Sequence, residues 1–537
     1  MDTKEPGHEL SRRQVLSTAG LAAVAVPLAV RRSPALVRQA DVAGAPGPEQ
    51  VHVQYGADAS SQVAVSWAAP AAVSRPRLRL GQTSAGFGGQ VPAEQRTYTD
   101  AMTGETVYTY HARLHGLHPD THYVYQVLND GAAPVSGMFR TGPRSRSRGF
   151  RFTSFGDQAI PAPVGQGLGP WTVNAGFIVP AVERLDPLFH LFNGDLCYAN
   201  VSDAPIATWA SFFNNNTRSA ANRPWMPSAG NHENEVGNGP QGYRSYQTRF
   251  ELPDNGSKDF HGNWYAFTVG SIRVISLNND DVCLQDGGFS AYRRDHIANY
   301  VSNGDNPYIN GYSSGQQKEW LERELAKASS SGDIDWIIVC MHQVAMSSAH
   351  FNGADLGIRQ NWLPLFDKYG VDLVVAGHEH HFERTFPVRG VMSGSTLLTP
   401  AAQSTDPSLM DTSMGTVHMI IGGGGHSSAT PVSAFDMPHD GVLITSVDPG
   451  SPQTQHPTIT TTEPAPWSAY RDLQTPYGFA SFDFVPHEPG GTTSITVTHY
   501  GAELGSPDYT QRDQFVMRKS LGKRQPHDQL ADAAATS

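Results

Sequence analysis

The chain has 537 residues, of which 39% are hydrophobic and 16% are charged, and its formal net charge is −12 at pH 7. This length exceeds what one hydrophobic core usually supports, so we expect a large domain and at least one smaller module. The negative charge leaves no electrostatic footprint for nucleic acid, and it would repel an anionic ligand unless local positive charge, such as bound metal, compensated.

The first 45 residues have the segment order of a twin-arginine export signal. Arg12 and Arg13 precede an apolar run at residues 19–30, and small residues follow at 43–45. This run is too short to span a bilayer comfortably, and no later stretch approaches the roughly 20 apolar residues of a transmembrane helix. The pattern predicts a soluble, secreted or extracytoplasmic protein of the periplasm or cell wall, exported by the twin-arginine machinery. An ordinary basic N-terminus is the alternative.

Cysteines are few in this chain, which contains only Cys197, Cys283 and Cys340. Three cysteines make no disulfide framework for an exported protein of this size. We interpret all three as small buried hydrophobic side chains and not as zinc ligands.

The region 48–142 alternates apolar and polar side chains in short stretches such as VHVQY and HYVYQV, with Gly, Pro and Asp turns between them. Period-two alternation with turns about every ten residues predicts a small all-β sandwich. The polar stretch at residues 142–149, GPRSRSRG, is expected to be a linker.

After the linker, apolar strands end abruptly at polar motifs and alternate with helical segments, which predicts an α/β domain over residues 150–505. Helices are predicted at 316–328 and 361–370 from apolar residues three and four apart. The region 391–477 is predicted to be long loops with one strand, TVHMII. Two strands, YGFASFDFV and SITVTHY, close the domain, and residues 521–537 are expected to be a disordered tail.

Five polar motifs follow in order along this domain. Each alone is weak, because turns use the same residue types. Together their carboxylate, amide and imidazole groups suit divalent and hard trivalent metals, and seven ligands suffice for two ions that share one carboxylate. The motifs are Gly156-Asp157-Gln158-Ala159, Gly194-Asp195-Leu196-Cys197-Tyr198, Gly230-Asn231-His232-Glu233, Val339-Cys340-Met341-His342 and Gly377-His378-Glu379-His380.

This ordered set resembles the bacterial members of the purple acid phosphatase family, which belong to the calcineurin-like metallophosphoesterases. Tyr198 narrows the resemblance to that family, and the phrases LHGLHPDTHYVYQV and HHFERT extend it over residues 50–500. The resemblance implies an α/β metallophosphoesterase catalytic domain, with two β-sheets flanked by helices, after a fibronectin type III-like sandwich. One departure is Ala159, where the family usually has glycine. Because alanine tolerates positive φ less well, the resemblance fixes the ligand Asp157 but not the conformation of its loop.

The resemblance implies two metal ions, with Asp195 as the bridge between them. A phenol ionises near pH 10 in water, so binding Tyr198 at neutral pH favours Fe³⁺ at the first site, although Tyr198 as a core aromatic is the alternative. The second site would take a divalent ion, Fe²⁺, Zn²⁺ or Mn²⁺. The implied ligands are Asp157, Asp195, Tyr198 and His380 for the first ion, and Asp195, Asn231, His342 and His378 for the second.

The implied reaction is that of an acid phosphatase, in which a metal-bound hydroxide attacks the phosphorus of a small phosphate monoester. An acid must protonate the leaving alkoxide. By the resemblance, His232 and His350 stand where the family keeps its catalytic, substrate-binding histidines, and they are the candidates. The spacing of His350 also fits a solvated surface histidine. Glu379 and His381 are expected either to orient the ligands or to face solvent.

Two other functions stay open from the sequence. A phosphodiesterase or nucleotide hydrolase could use the same metal core, because the motifs fix the ions and not the substituents on phosphate. A non-catalytic, metal-binding surface protein is the second alternative, and the complete set of ligands argues against it.

Overall fold

The computed structural model describes residues 45–83, 85–164, 171–235, 237–239, 241–285, 310–435, 439–448 and 456–521. The predicted export signal and the predicted disordered tail lie outside these residues, apart from Ala45 and Leu521. Export, location and tail therefore stay predictions. Among the described residues, none of the helices is both long and apolar enough to cross a membrane.

Eight strands form two antiparallel four-stranded sheets with a common hydrophobic core. Alternation is clearest in the seventh strand, where Tyr123, Tyr125 and Val127 are buried and their neighbours are more exposed. The sheet orders are β1-β2-β6-β5 and β4-β3-β7-β8. The strands are β1 (Glu49–Tyr55), β2 (Val63–Ala69), β3 (Arg77–Gln82), β4 (Gly86–Pro92), β5 (Glu94–Thr99), β6 (Thr106–Leu114), β7 (His122–Leu128) and β8 (Val135–Arg140).

The first large sheet of the following domain has the order β11-β10-β9-β25-β26-β27-β20. Its members β9, β10 and β11 are parallel. β25 is antiparallel to β9, the strands β25, β26 and β27 alternate in direction, and β20 is parallel to β27. The strands are β9 (Phe150–Phe155), β10 (Phe189–Phe192), β11 (Trp225–Pro227), β20 (Leu409–Asp411), β25 (Tyr477–Glu488), β26 (Thr492–Ala502) and β27 (Thr510–Ser520).

A second seven-stranded sheet has the order β12-β13-β14-β16-β21-β17-β24, and β13, β14, β16 and β21 are parallel. Two small sheets, β15-β22-β23 and β18-β19, lie outside the large ones. The strands are β12 (Tyr265–Val269), β13 (Ile272–Ser276), β14 (Trp336–Cys340), β15 (Ala354–Asp355), β16 (Leu373–Ala376), β17 (Phe382–Thr385), β18 (Val388–Val391), β19 (Pro400–Ala402), β21 (Val417–Ile421), β22 (Asp440–Val447), β23 (Thr458–Pro464) and β24 (Ser468–Arg471).

Six α-helices are described. In the fourth, Leu321, Leu325 and Ala328 are buried on one face, as the periodicity predicts. The second predicted helix, at residues 361–370, is present as Leu363–Tyr369, and Pro364 stands in its first turn, where proline is tolerated. The short helix directly before it, Leu356–Asn361, was not predicted. The helices are α1 (Asn174–Glu183), α2 (Pro205–Ala220), α3 (Arg244–Arg249), α4 (Gln316–Ser330), α5 (Leu356–Asn361) and α6 (Leu363–Tyr369).

The hydrophobic cores explain how the layers hold together. One core runs from the small sandwich through both large sheets and includes residues of α1 and α2. A second core lies between the second large sheet and the helices α4, α5 and α6. Apolar strands buried on both faces, such as β14 and β16, follow from this layering.

The structure differs from the sequence prediction over residues 391–477. Instead of loops with a single strand, this region contains an antiparallel pair, β22 and β23, and the short strands β19, β20 and β24. The strand β23, TITTTEP, is polar and so was not predicted, but its threonines and isoleucine are β-branched residues, which favour strands. The strand β27, beyond residue 505, was also not predicted.

A buried ion pair attaches β23 to the domain. Arg359 is fully buried and Glu463 is 4% exposed in their side chains. The guanidinium donates to both carboxylate oxygens of Glu463 and also to the carbonyls of Ala345 and Leu397. This pair therefore links the β22–β23 hairpin to α5.

We expect Glu463→Ala to lower the free energy of unfolding by about 3–5 kcal/mol, because it leaves the Arg359 charge buried without its partner. Denaturant unfolding followed by circular dichroism measures the loss. Glu322→Ala is the matched control, since its ion pair with Lys368 is exposed and contributes only about 0–1 kcal/mol. Equal losses in the two variants would contradict the interpretation of Arg359.

Candidate metal centre

Six of the seven predicted ligands lie on the loops that follow the parallel strands β9, β10, β14 and β16, and Asn231 lies on the loop after β11. The loops after β9, β10, β14 and β16 leave the same ends of the two large sheets, where open sheets place their ligands. Several loop residues adopt left-handed backbone conformations, which concentrates strain at this point. They are Asp157 (φ 57°), Ala159 (φ 63°), Asp195 (φ 52°), Tyr198 (φ 60°) and His378 (φ 69°).

The loop around Ala159 is closely tied to the loop that follows β10. The backbone N–H groups of Asp157, Gln158 and Ala159 donate to the carbonyls of Gly194, Asp195 and Leu196. Ala159 adopts a positive φ that glycine would adopt more easily, so the alanine strains this loop.

The first group of predicted ligands is Asp157, Tyr198 and His380. The Tyr198 hydroxyl lies 3.1 Å from Asp157 Oδ1 and 3.4 Å from His380 Nε2. His380 Nε2 lies 3.3 Å from the same Asp157 oxygen. The backbone N–H of His378 donates to Asp157 Oδ2 at 2.9 Å and so joins this group to the next one.

The second group is Asp195, Asn231, His342 and His378. His342 Nε2 lies 3.1 Å from Asp195 Oδ2, and His378 Nδ1 lies 3.2 Å from Asn231 Oδ1. Ligand atoms of Asp195, His342 and His378 lie within 4.8 Å of one another, and all three residues are buried. These three side chains can hold a metal ion.

Two imidazoles are oriented by backbone carbonyls. His342 Nδ1 donates to Asn193 O at 2.7 Å, and His380 Nδ1 donates to Ser428 O at 2.5 Å. A carbonyl only accepts, so in each neutral ring the proton is on Nδ1 and the lone pair is on Nε2. Among the described residues, His342 Nε2 is buried and makes no hydrogen bond of good geometry, as a ligand atom for a metal would.

The charges of this cluster are tightly linked. Burial opposes the charge of Asp195, but His342 and His232 hold the pKa of its carboxyl well below the usual value. Burial raises the pKa of Asp157. Burial opposes the imidazolium of His342, yet Asp195 and Asp157 raise its pKa to about 10. Two buried carboxylates lie close together here, and nearby positive charge, such as that of a bound cation, would stabilise their ionised forms.

Glu233 joins the loop after β10 to the loop after β11, a role that was not predicted from the sequence. Its carboxylate accepts the backbone N–H groups of Asp195, Leu196 and Gly230 at 2.8–2.9 Å. Burial and the nearby Asp195 raise its pKa to about 8. Its position three residues after Gly230, at the start of a short 3₁₀ helix, was the available signal.

The two predicted catalytic histidines differ in their surroundings. His232 is 12% exposed, its Nδ1 donates to Asn200 Oδ1 at 2.8 Å, and its Nε2 lies 3.9 Å from Asp195 Oδ2. The structure therefore brings His232 into the ligand cluster. His350 lies on the loop after β14, and its Nε2 pairs with Asp440 Oδ1 at 3.0 Å. The ring of the next residue, Phe351, lies 5.9 Å from the ring of the predicted ligand His380.

Glu379 and His381 are both buried, so the prediction that they orient neighbouring groups is favoured over exposure to solvent. Glu379 accepts the backbone N–H of Gly353 at 2.6 Å, and His381 Nε2 lies 3.4 Å from Glu383 Oε2. The hydrogen bonds described for these two side chains join backbone N–H groups of Asn352 and Gly353 and side chains of Thr430 and Glu383, and so hold the loops around the ligands. The three cysteines are buried and free, as the composition predicted.

Sequence reasoning missed His426, which the structure brings to the first group of ligands. Its ring centroid lies 4.2 Å from that of Tyr198 and 4.4 Å from that of His380. The preceding four glycines were the only sequence signal, and a glycine run after a strand indicates close approach of the backbone.

Comparisons with known proteins follow this geometry. A family model described as "Purple acid Phosphatase, N-terminal domain" matches residues 48–153, and one described as "Calcineurin-like phosphoesterase" matches residues 174–382. An uncharacterised protein of Mycobacterium tuberculosis is 48% identical over 539 residues, which cover 97% of this chain and 98% of the relative.

Two further likenesses concern a plant enzyme and a solved structure. Fe(3+)-Zn(2+) purple acid phosphatase 12 of Arabidopsis thaliana is 26% identical over 401 residues, which cover 72% of this chain and 73% of the relative. The structure of purple acid phosphatase PPD1 from yellow lupin seeds matches with a TM-score of 0.62 at 19% identity. That match covers 89% of this chain and 75% of the lupin chain, and it shows a likeness of fold.

Proposed function

Since this chain belongs to the purple acid phosphatase family, we propose that it hydrolyses small phosphate monoesters at a centre of two metal ions. The chain is a phosphoesterase, and the predicted fold of a metallophosphoesterase domain after an all-β domain is confirmed. The proposal extends to the residues that bind the ions, to the identity of the ions and to the group that protonates the product.

The observation that carries the proposal is the convergence of seven buried oxygen and nitrogen donors from two sheets. We assign Asp157, Tyr198 and His380 to the first ion, Asn231, His342 and His378 to the second, and Asp195 to both. The short distances within each group support this division, as do the imidazole tautomers that leave Nε2 of His342 and His380 free to bind.

We propose Fe³⁺ at the Tyr198 site and a divalent ion, Fe²⁺, Zn²⁺ or Mn²⁺, at the other. In the metal-free chain, burial and the neighbouring carboxylates raise the pKa of Tyr198 well above its ordinary value, so only a strong Lewis acid would bind it as phenolate. The amide and two imidazoles of the second set suit a borderline divalent ion. The name of the Arabidopsis relative carries the same combination of ferric and divalent ions.

The bound cations would supply Lewis-acid charge that attracts the phosphoryl oxygens and acidifies water for attack on phosphorus. The protein contributes the proton for the leaving group. Asn200 fixes the His232 ring through Nδ1, so that Nε2 is directed to the cluster and can give a proton to the departing oxygen. His350 is a second candidate for contact with the substrate, held by Asp440.

The elements and segments of the chain support a division into domains. We infer that residues 48–142 are one domain and that the catalytic domain begins at residue 150 and continues through β27 to Ser520. The segment order of residues 1–45 supports export by the twin-arginine machinery. Cell fractionation tests export: the full chain is expected outside the cytoplasm, whereas a variant with both Arg12→Lys and Arg13→Lys is expected inside.

Elemental analysis with a visible absorption spectrum is the experiment that tests the proposed centre. We expect iron together with a second metal, and an absorption band from charge transfer between Tyr198 and the iron. A colourless protein that contains only zinc would contradict the iron assignment and leave a phosphoesterase with a different pair of ions.

We expect Tyr198→Phe to remove the visible colour and to weaken retention of the first metal, because phenylalanine keeps the ring and loses the ligand oxygen. Some hydrolysis should remain if a divalent ion occupies the site. The spectrum and the metal content after dialysis measure the change. Tyr243→Phe is the control, since Tyr243 is equally buried but donates its hydroxyl to Asp280, outside the ligand sets. An unchanged spectrum in Tyr198→Phe would exclude Tyr198 as a ligand.

A further inference from the structure

We propose that His426 is a positioning residue of the first metal site, where it holds the rings of Tyr198 and His380 in place; this inference rests on the proposed function. The residue directly follows a run of four glycines, Gly422–Gly425, at the end of β21. Neither the glycine run nor His426 belongs to the five motifs from which the ligands were predicted.

The backbone of this segment is hydrogen-bonded along the loop that carries Asp157. Gly156 N–H donates to Ile421 O, Gly424 N–H donates to Gly156 O, and His426 N–H donates to Asp157 O, all at 2.8–2.9 Å. The position of His426 is therefore set by the same backbone that sets the first ligand.

Glycine is required for this close approach. A Cβ on Gly424 would lie 2.2 Å from Gly156 O, and a Cβ on Gly422 would lie 2.2 Å from Glu379 O. Gly425 has φ 145°, and its Cβ would lie 2.6 Å from the Cα of Ala175. A side chain at any of these positions would push the segment away from its neighbours, and His426 would move with it.

The side chain of His426 packs against two ligands of the first ion. The Tyr198 ring has the His426 ring at a centroid distance of 4.2 Å and the His232 ring at 4.4 Å. The His380 ring lies 4.4 Å from that of His426. His426 thus contacts all three residues that we assign to the first ion alone: Tyr198 and His380 through their rings, and Asp157 through its backbone carbonyl.

The ring of His426 is itself fixed. Its Nδ1 accepts the backbone N–H of Ser428 at 3.0 Å, so the neutral ring carries its proton on Nε2. Ser428 O in turn accepts from His380 Nδ1. One short segment, residues 426–428, thereby orients His380 by a hydrogen bond and Tyr198 by packing, which are the contacts that tune a metal ligand.

The experiment compares the full chain with His426→Ala, His426→Phe and Gly425→Ala, and with His487→Ala as a control on the exposed side of β25. Iron retention is measured by dialysis against a chelator, the tyrosinate absorption band by visible spectroscopy, and kcat and KM with p-nitrophenyl phosphate. We expect His426→Ala to lose iron about 10–100-fold more readily and to shift the band. Gly425→Ala should shift the band in the same way, because it displaces the ring.

His426→Phe keeps an aromatic ring against Tyr198 and should retain more iron than His426→Ala, while His487→Ala should match the unmodified chain. The inference is overturned if His426→Ala and Gly425→Ala keep both iron and band, including the case in which only KM rises, since that result would make His426 a contact of the substrate. If Tyr198→Phe also leaves the spectrum unchanged, the ligand assignment fails and the inference fails with it. Loss of the band in Tyr198→Phe beside an unshifted band in His426→Ala overturns this inference and leaves the ligand assignment standing.

Discussion

Asp195→Asn is expected to abolish hydrolysis and to leave the fold intact. The carboxylate is the one group that we assign to both ions, and asparagine removes its charge while keeping the oxygen that accepts the backbone N–H of His232. The core of neither sheet depends on this side chain. The test is kcat/KM together with metal content and a circular dichroism spectrum.

Asp203→Asn is the matched control for this variant, because Asp203 is an exposed aspartate shortly after the same loop. It should keep its activity and its metals. Near wild-type turnover in an Asp195→Asn variant that holds two metals would show that Asp195 does not bridge them, and the second ligand set would have to be reassigned.

His232→Ala should slow the hydrolysis of alkyl phosphates much more than that of aryl phosphates with acidic phenol leaving groups. A good leaving group departs as an anion, whereas an alkoxide needs a proton, and help from a general acid contributes about 10²–10⁴-fold. Both metals should stay bound, since His232 is not assigned as a ligand. The measurement is kcat/KM for one ester of each type at equal metal occupancy.

His350→Ala is the companion variant and should show a smaller difference between the two esters. Equal losses on both esters in His232→Ala would leave that residue a phosphate-binding group, because lost binding of the phosphoryl group does not depend on the leaving group. Burial lowers the pKa of His232 to about 4, so its protonated form grows as the pH falls towards that value. The advantage of His232 for alkyl esters should therefore increase in acidic solution.

Sequence reasoning was most successful where a strand ends at a polar residue. The apolar segments before Asp157, Asp195, His342 and His378 are β9, β10, β14 and β16, and each was expected from its composition alone. Their common edge follows from the parallel arrangement that such buried strands prefer. The ligand assignment itself came from family resemblance and stays a prediction.

The features that were missed depend on contacts between distant parts of the chain. The strand β23 is polar in composition and is held by Arg359, which lies 104 residues before Glu463. Glu233 and His426 act through backbone hydrogen bonds and ring contacts, and the local sequence offered only a position after Gly230 for the first and a run of four glycines for the second. Hydrophobic periodicity depends on residues that are close in sequence, so it does not predict contacts between residues that are far apart along the chain.

The two large sheets contribute different chemistry to the centre. Asp157, Asp195, Tyr198 and Asn231 follow strands of the first sheet and offer oxygen, whereas His342, His378 and His380 follow strands of the second and offer nitrogen. Each proposed ion would thus take donors from both sheets and link one sheet to the other. Removal of the metals by a chelator should therefore weaken the contact between the two sheets first. A free metal concentration of 1,000 times the dissociation constant would stabilise the folded protein by about 4 kcal/mol. The catalytic metals would then also set the heat resistance of the enzyme.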